Sequence, residues 1–217
     1  MKRYIFDAMQ NSIRILAACA LLAAPVFAGP ALVCHPINIG SARSLPWTSA
    51  SWKLSGDEDY DIGHLVSDTL ALLGPDTPVL VRMETIRRAA LYSQNNAAVA
   101  RELFAALAAR ATSGEHDSLA AFDYGYLIET YRQLEMAFRM SRGGVSRGNW
   151  VNPAAGFGGY AGVKKAISMR GGDAEMEFAA ALITTENWRQ DYPQHVAKAR
   201  AGMKEDPLLA QNVASRF

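Results

Sequence analysis

Cysteine is almost missing from this chain of 217 residues, which carries only Cys19 and Cys34. So few cysteines exclude a disulfide framework, and the lack of any Cys-x-x-Cys-His excludes covalent haem of the c type. A thiolate zinc site would have to be assembled from one cysteine and scattered histidines. An excess of one charge is lacking too, since 22 basic residues stand against 21 acidic ones, a formal net charge of +1. That balance offers no nucleic-acid or anionic-membrane surface. No segment alternates strongly enough to be a strand. There is no P-loop, no His-Glu-x-x-His and no Gly-x-Ser-x-Gly. Gly156-Phe157-Gly158-Gly159-Tyr160-Ala161 formally fits the dinucleotide fingerprint, but no strand precedes it, and the phosphate-binding reason for its glycines disappears. No cofactor and no metal are therefore expected.

What is present first is a leader. Lys2, Arg3 and Arg14 give a positive start, Ile15 to Ala24 an apolar core too short to span a bilayer, and Val26-Phe27-Ala28 a small-residue cleavage site. The expectation is export, with a signal peptide at 1–28 cut after Ala28, and a soluble periplasmic or secreted product without an integral membrane segment. Leu16-Ala17-Ala18-Cys19 also resembles a lipoprotein attachment box, but a lipidated Cys19 would leave only Ile15 to Ala18 as apolar core and strand the run from Ala20 to Ala28 on the mature chain. Cutting 28 residues from 217 leaves 189, enough for one well-filled core. Three basic and one acidic residue go with the leader, so the mature chain is formally −1, and Cys34 becomes its only cysteine.

Residues 29–58 read as an extended arm, because Pro30, Pro36, Gly40, Pro46 and Gly56 are too closely spaced for a normal helix. Leu32, Val33, Ile37, Ile39, Leu45, Trp47 and Trp52 make the arm too apolar for a disordered linker, so it is expected to pack on the body. Helical periodicity fills 59–217, the single domain. The stripe Ile62, Leu65, Val66, Thr69, Leu70, Leu73 stops at Gly74-Pro75, and Thr77-Pro78 opens the next helix as cap and first residue. Further helices are expected at 97–112, 116–141, 160–170, 174–185 and 193–204, with a last turn after Pro207. The one at 116–141 is the longest, apolar over more than half its circumference, and reads as the central helix. Gly125 within it is tolerable if another backbone packs closely there. The fold class is all-α, an antiparallel αα-hairpin array with an extended N-terminal arm. In architecture alone this resembles tetratricopeptide-like repeats, since the aromatic and small-residue signature does not recur in register.

Candidate sites are few. Cys34 beside His35 is the reactive-thiol candidate, because an imidazolium lowers a thiol pKa; a structural cysteine packed among Val33, Ile37 and Ile39 is the plainer reading. Asp61, His64 and Asp68 share a helical face, which reads as solvated rather than metal-binding. His116 and His195 lie near helix starts without a partner visible in the sequence. Charges embedded in apolar stripes are more unusual: Asp123 lies among Leu119, Tyr126, Leu127 and Thr130, and Arg87 among Met83, Ala90 and Leu91. Buried charge is costly unless paired, so Arg87 and Arg88 are expected to be held by Glu84, by Asp123 or by both. An Arg87–Asp123 pair between central helices is one form of this. The functional form is a polar pocket of Glu84, Arg87 and Asp123 walled by Tyr126 and Tyr131. The Gly-rich loop at 142–159, with Arg142, Arg147, Trp150 and Phe157, is expected to border a partner site with Trp150 partly exposed. Together these favour a non-enzymatic binding or scaffold module with a protein or peptide partner. The alternative is a small enzyme using Cys34 or the Glu84/Arg87/Asp123 cluster.

Overall fold

A computed structural model of the chain describes residues 29–48, 56–113, 117–140 and 150–217. The leader and its cut, Trp52, His116 and the part of the Gly-rich loop holding Arg142 and Arg147 lie outside the described residues. Within them are eight α-helices and no strand. They are α1 (Leu65–Leu72), α2 (Val79–Ser93), α3 (Ala97–Ser113), α4 (Ser118–Met140), α5 (Tyr160–Met169), α6 (Ala174–Thr184), α7 (Tyr192–Gly202) and α8 (Pro207–Arg216). None is long and apolar enough to cross a membrane. The segment after Pro207 is thus a full helix rather than a single turn, because Asp206 accepts from the N–H groups of Leu208 and Leu209 and starts it cleanly.

Capping corrects the expectation at Thr77. Asn96, Asp117 and Asp173 cap α3, α4 and α6 through their side-chain oxygens. Thr77 does not cap α2; its hydroxyl donates to the Leu72 carbonyl and closes the end of α1. The start of α2 is served instead from α6, where Glu175 accepts from the Leu80 N–H at 3.2 Å. Burial, followed by a hydrogen bond to Asp206, pushes the Glu175 carboxyl up to about 7. An unfolded chain ionises such a group near pH ~4.3. Between those values the folded state keeps a proton that the unfolded state has lost. This contribution to stability is therefore complete below the unfolded value and disappears as pH rises to about 7. Relative to Glu175→Gln, the wild type should lose urea stability between pH 4.5 and 7.5, whereas a constant difference would refute the shared proton.

α4 is the central helix, touching α2, α3, α5 and α6. Its Gly125 is a site of close backbone approach, since a Cβ there would lie 2.7 Å from the Gly159 carbonyl oxygen and 3.0 Å from the Val163 nitrogen. Gly125→Ala should therefore cost about 1–3 kcal/mol in urea unfolding, despite a helix-propensity gain of about 1 kcal/mol. A stabilised variant would show that α4 and α5 stand apart.

The arm is stitched to the body by side chains that bond its backbone. It begins with a turn, in which the Cys34 N–H donates to the Pro30 carbonyl at 3.0 Å, and then runs out along the helices. Leu32 N–H donates to Gln133, Ile37 N–H to Glu84 and Asn38 N–H to Asn212, which returns a bond to the Asn38 carbonyl. Arg87, Arg216 and Arg88 donate to the carbonyls of Val33, Pro36 and Leu45. A non-helical segment has no internal ladder, so these bonds satisfy polar groups that burial would otherwise leave bare. Leu32, Val33, Ile37, Ile39 and Leu45 are core residues.

Candidate functional site

The charged residues embedded in the stripes are interior, as their sequence setting implies, but the pairing differs from an Arg87–Asp123 bridge. Arg82 holds Asp123, with Nη1 and Oδ2 2.6 Å apart and both side chains fully shielded. Glu84 holds Arg87 at 3.2 Å and Arg88 at 2.8 Å. The reason is that α2 is buried on nearly all sides, so two polar directions exist: Arg82 faces α4, and Arg87 faces the arm. Burial pushes the Asp123 carboxyl up to about 7 against the attraction of Arg82. Tyr126 and Tyr131 are fully buried; the Tyr131 hydroxyl meets Ser93 at 3.1 Å.

Trp150 is not partly exposed. It is 4% exposed, lying on the aromatic shelf of Tyr131 and Phe138 at ring distances of 5.4 and 6.2 Å. These two residues share a face of α4, and covering them buries more apolar area than an outward indole would. Phe157, 56% exposed, is the aromatic that the end of the loop presents. Cys34 is half-buried against the core, and burial raises its thiol pKa with only partial opposition from Arg87, so the protonated thiol is favoured. Asp61 and His64 lie on the surface 3.9 Å apart, while Asp68 accepts from the Tyr60 hydroxyl. Among the described residues no group of three His, Cys, Asp or Glu is placed to hold a metal.

A different constellation lines a groove of about 940 Å³ between α5 and α7 over α6. Its geometry begins at Glu129 of α4, whose Oε1 accepts from the N–H groups of Gly159 and Tyr160 at 2.8 and 2.9 Å and so caps α5 from another helix. Arg132 grips the other Glu129 oxygen and lies 4.8 Å from the Trp188 ring centre. Trp188 has φ +55°, the left-handed region that costs a non-glycine residue about 1–2 kcal/mol. The strain places its ring 4.9 Å from that of Tyr160.

Tyr160 is thereby clamped with its hydroxyl in a buried relay. The hydroxyl donates to Asp191 Oδ2 at 2.8 Å and meets His195 Nε2 at 2.6 Å. His195 Nδ1 bonds Glu177 Oε2, and Glu177 Oε1 accepts from Lys198 Nζ at 2.9 Å. Lys164 Nζ stands 4.0 Å from Asp191 and 4.6 Å from the Tyr160 ring centre. Burial, then the bond to Asp191, raises the Tyr160 pKa, so the phenol keeps its proton. Glu177, His195 and Tyr160 are buried in the floor, while Lys164 and Lys198 are half-exposed on the rim. Lys198 is thus oriented by a carboxylate whose position the relay fixes, while Lys164 stands at ion-pair distance from Asp191, and both keep N–H donors for a ligand.

None of Glu84, Arg87, Asp123, Tyr126, Tyr131 or Trp150 lines this groove. Sequence reasoning missed its centre because Tyr160, Glu177, Asp191 and His195 come from three helices and a turn, each an ordinary helix-end residue in isolation. The only local signal is the glycine run that delivers Tyr160.

The fold and groove define an all-helical chain with a polar, pre-set surface cleft. Comparison with protein-family models, with curated proteins and with solved structures gives no significant match.

Proposed function

We propose that this is an exported, non-enzymatic binding module that takes a protein or peptide partner in the α5–α7 groove. The observation that carries this reading is the rim of Lys164 and Lys198 set around a Lys198–Glu177–His195–Tyr160–Asp191 relay, whose Glu177, His195 and Tyr160 are buried beneath an open cleft. Rigid, partly exposed charge around a concave surface is what recognition needs, because the side-chain entropy of binding is already spent. The half-buried, protonated thiol of Cys34 favours this reading over thiol-dependent catalysis.

Phage-displayed peptides panned on the mature protein test it, with affinities measured by calorimetry. Enriched peptides should lose at least tenfold in affinity to Ala201→Trp, which fills the cleft from an exposed helical position. No enrichment, or equal binding by that variant, would overturn the proposal.

A further inference from the structure

A second polar centre lies inside the fold, where the arm meets α2, α4 and α8. Its carboxylate is fully engaged: Glu84 accepts from Arg87 and Arg88 through one oxygen and from the Ile37 N–H through the other. Arg216 enters from α8, and among the described residues its guanidinium has a neutral partner, the Pro36 carbonyl at 3.0 Å, and no carboxylate. Three guanidinium groups therefore share one carboxylate, and those of Arg87 and Arg216 are buried. Burial lowers the Arg216 pKa to about 10, with Arg87 pushing the same way, so the side chain is still a cation at neutral pH. Tyr126 of α4 completes the centre. Its hydroxyl is fully buried and has no hydrogen-bond partner among the described residues, and the charges that act on it are those of Glu84, Arg87 and Arg216. Burial raises its pKa, so the phenol keeps its proton and stays a donor. An idle buried donor beside guanidiniums with no carboxylate to spare calls for an acceptor that also carries negative charge. Water satisfies the hydroxyl but leaves the charge as it was. The centre is enclosed by the arm and three helices, which favours a single-atom anion over a polyatomic one.

We infer that Arg87, Arg216 and the Tyr126 hydroxyl bind a chloride ion. The ion takes the phenolic hydrogen bond, offsets the excess of guanidinium charge and keeps both arginines in the orientation that donates to the Val33 and Pro36 carbonyls. Docking of the arm thereby becomes responsive to chloride. The site is separate from the α5–α7 groove and does not depend on what that groove binds.

Urea unfolding in sodium chloride, against sodium gluconate of equal ionic strength, tests this. Above the dissociation constant, each tenfold rise in chloride should lower the unfolding equilibrium constant tenfold. Amide exchange at Leu32, Ile37 and Asn38 should slow in step with it. Tyr126→Phe keeps the ring and removes the hydroxyl, so the chloride response should begin at a concentration at least tenfold higher, with circular dichroism verifying the fold. Wild-type crystals grown in sodium bromide should carry an anomalous peak within hydrogen-bond distance of Tyr126 Oη and the Arg216 guanidinium, a readout that stands even if the variant does not fold. Equal stability in chloride and gluconate, an unshifted response in Tyr126→Phe, or water alone at the site in the bromide-grown crystals overturns the inference.

Discussion

Replacing Asp123 by alanine is expected to lower the unfolding free energy by about 3–5 kcal/mol, because it strands the Arg82 guanidinium in the interior. The other nitrogens of Arg82 bond the carbonyls of Thr77 and Gly74, so the same change loosens the connection between α1 and α2. Arg82→Met combined with Asp123→Leu should recover most of the loss, since two apolar side chains of similar volume leave no charge to compensate. Urea unfolding of the single and double variants checks this. Wild-type stability of Asp123→Ala would show that the pair carries nothing.

Glu84→Ala should cost at least as much, about 3–5 kcal/mol by the same principle, and its signature should be local. The carboxylate is fully buried and accepts from the Ile37 N–H at 2.9 Å as well as from Arg87 and Arg88. Its removal leaves one arm amide bare and two arginines without their counter-ion, while those arginines still face the Val33 and Leu45 carbonyls. Amide exchange at Leu32, Ile37 and Asn38 should accelerate far more than exchange at the middle of α4. Uniform acceleration across the chain would mean that Glu84 supports the body and does not hold the arm.

The helices were readable because their stripes are periodic and their punctuation is chemical: Gly74-Pro75 ends one, and Pro207 opens another. Asp123 and Arg87 could be recognised as buried and paired from the apolar company they keep. Their partners could not be chosen, since α2 is enclosed and its periodicity does not separate Arg82 from Arg87 by direction. Gly125 was readable as a place of close approach because a mid-helix glycine otherwise only weakens the helix. The groove was not, because the relay joins residues whose neighbours in sequence say nothing about one another. Tyr160 and His195 look like ordinary members of first helical turns until α5 and α7 are set on either side of α6.

The way the arm is held ties the order of synthesis to the order of folding. Leu32 meets Gln133 across 101 residues, and Asn38 meets Asn212 across 174. Pro36 meets Arg216 across 180 residues. Such distant closures are slow relative to local helix formation, so the arm docks late in the folding of a chain otherwise rich in local contacts. The arm waits for α8 to arrive. A chain truncated before α8 lacks the Asn212 and Arg216 bonds to the arm, so arm docking registers whether α8 has been made.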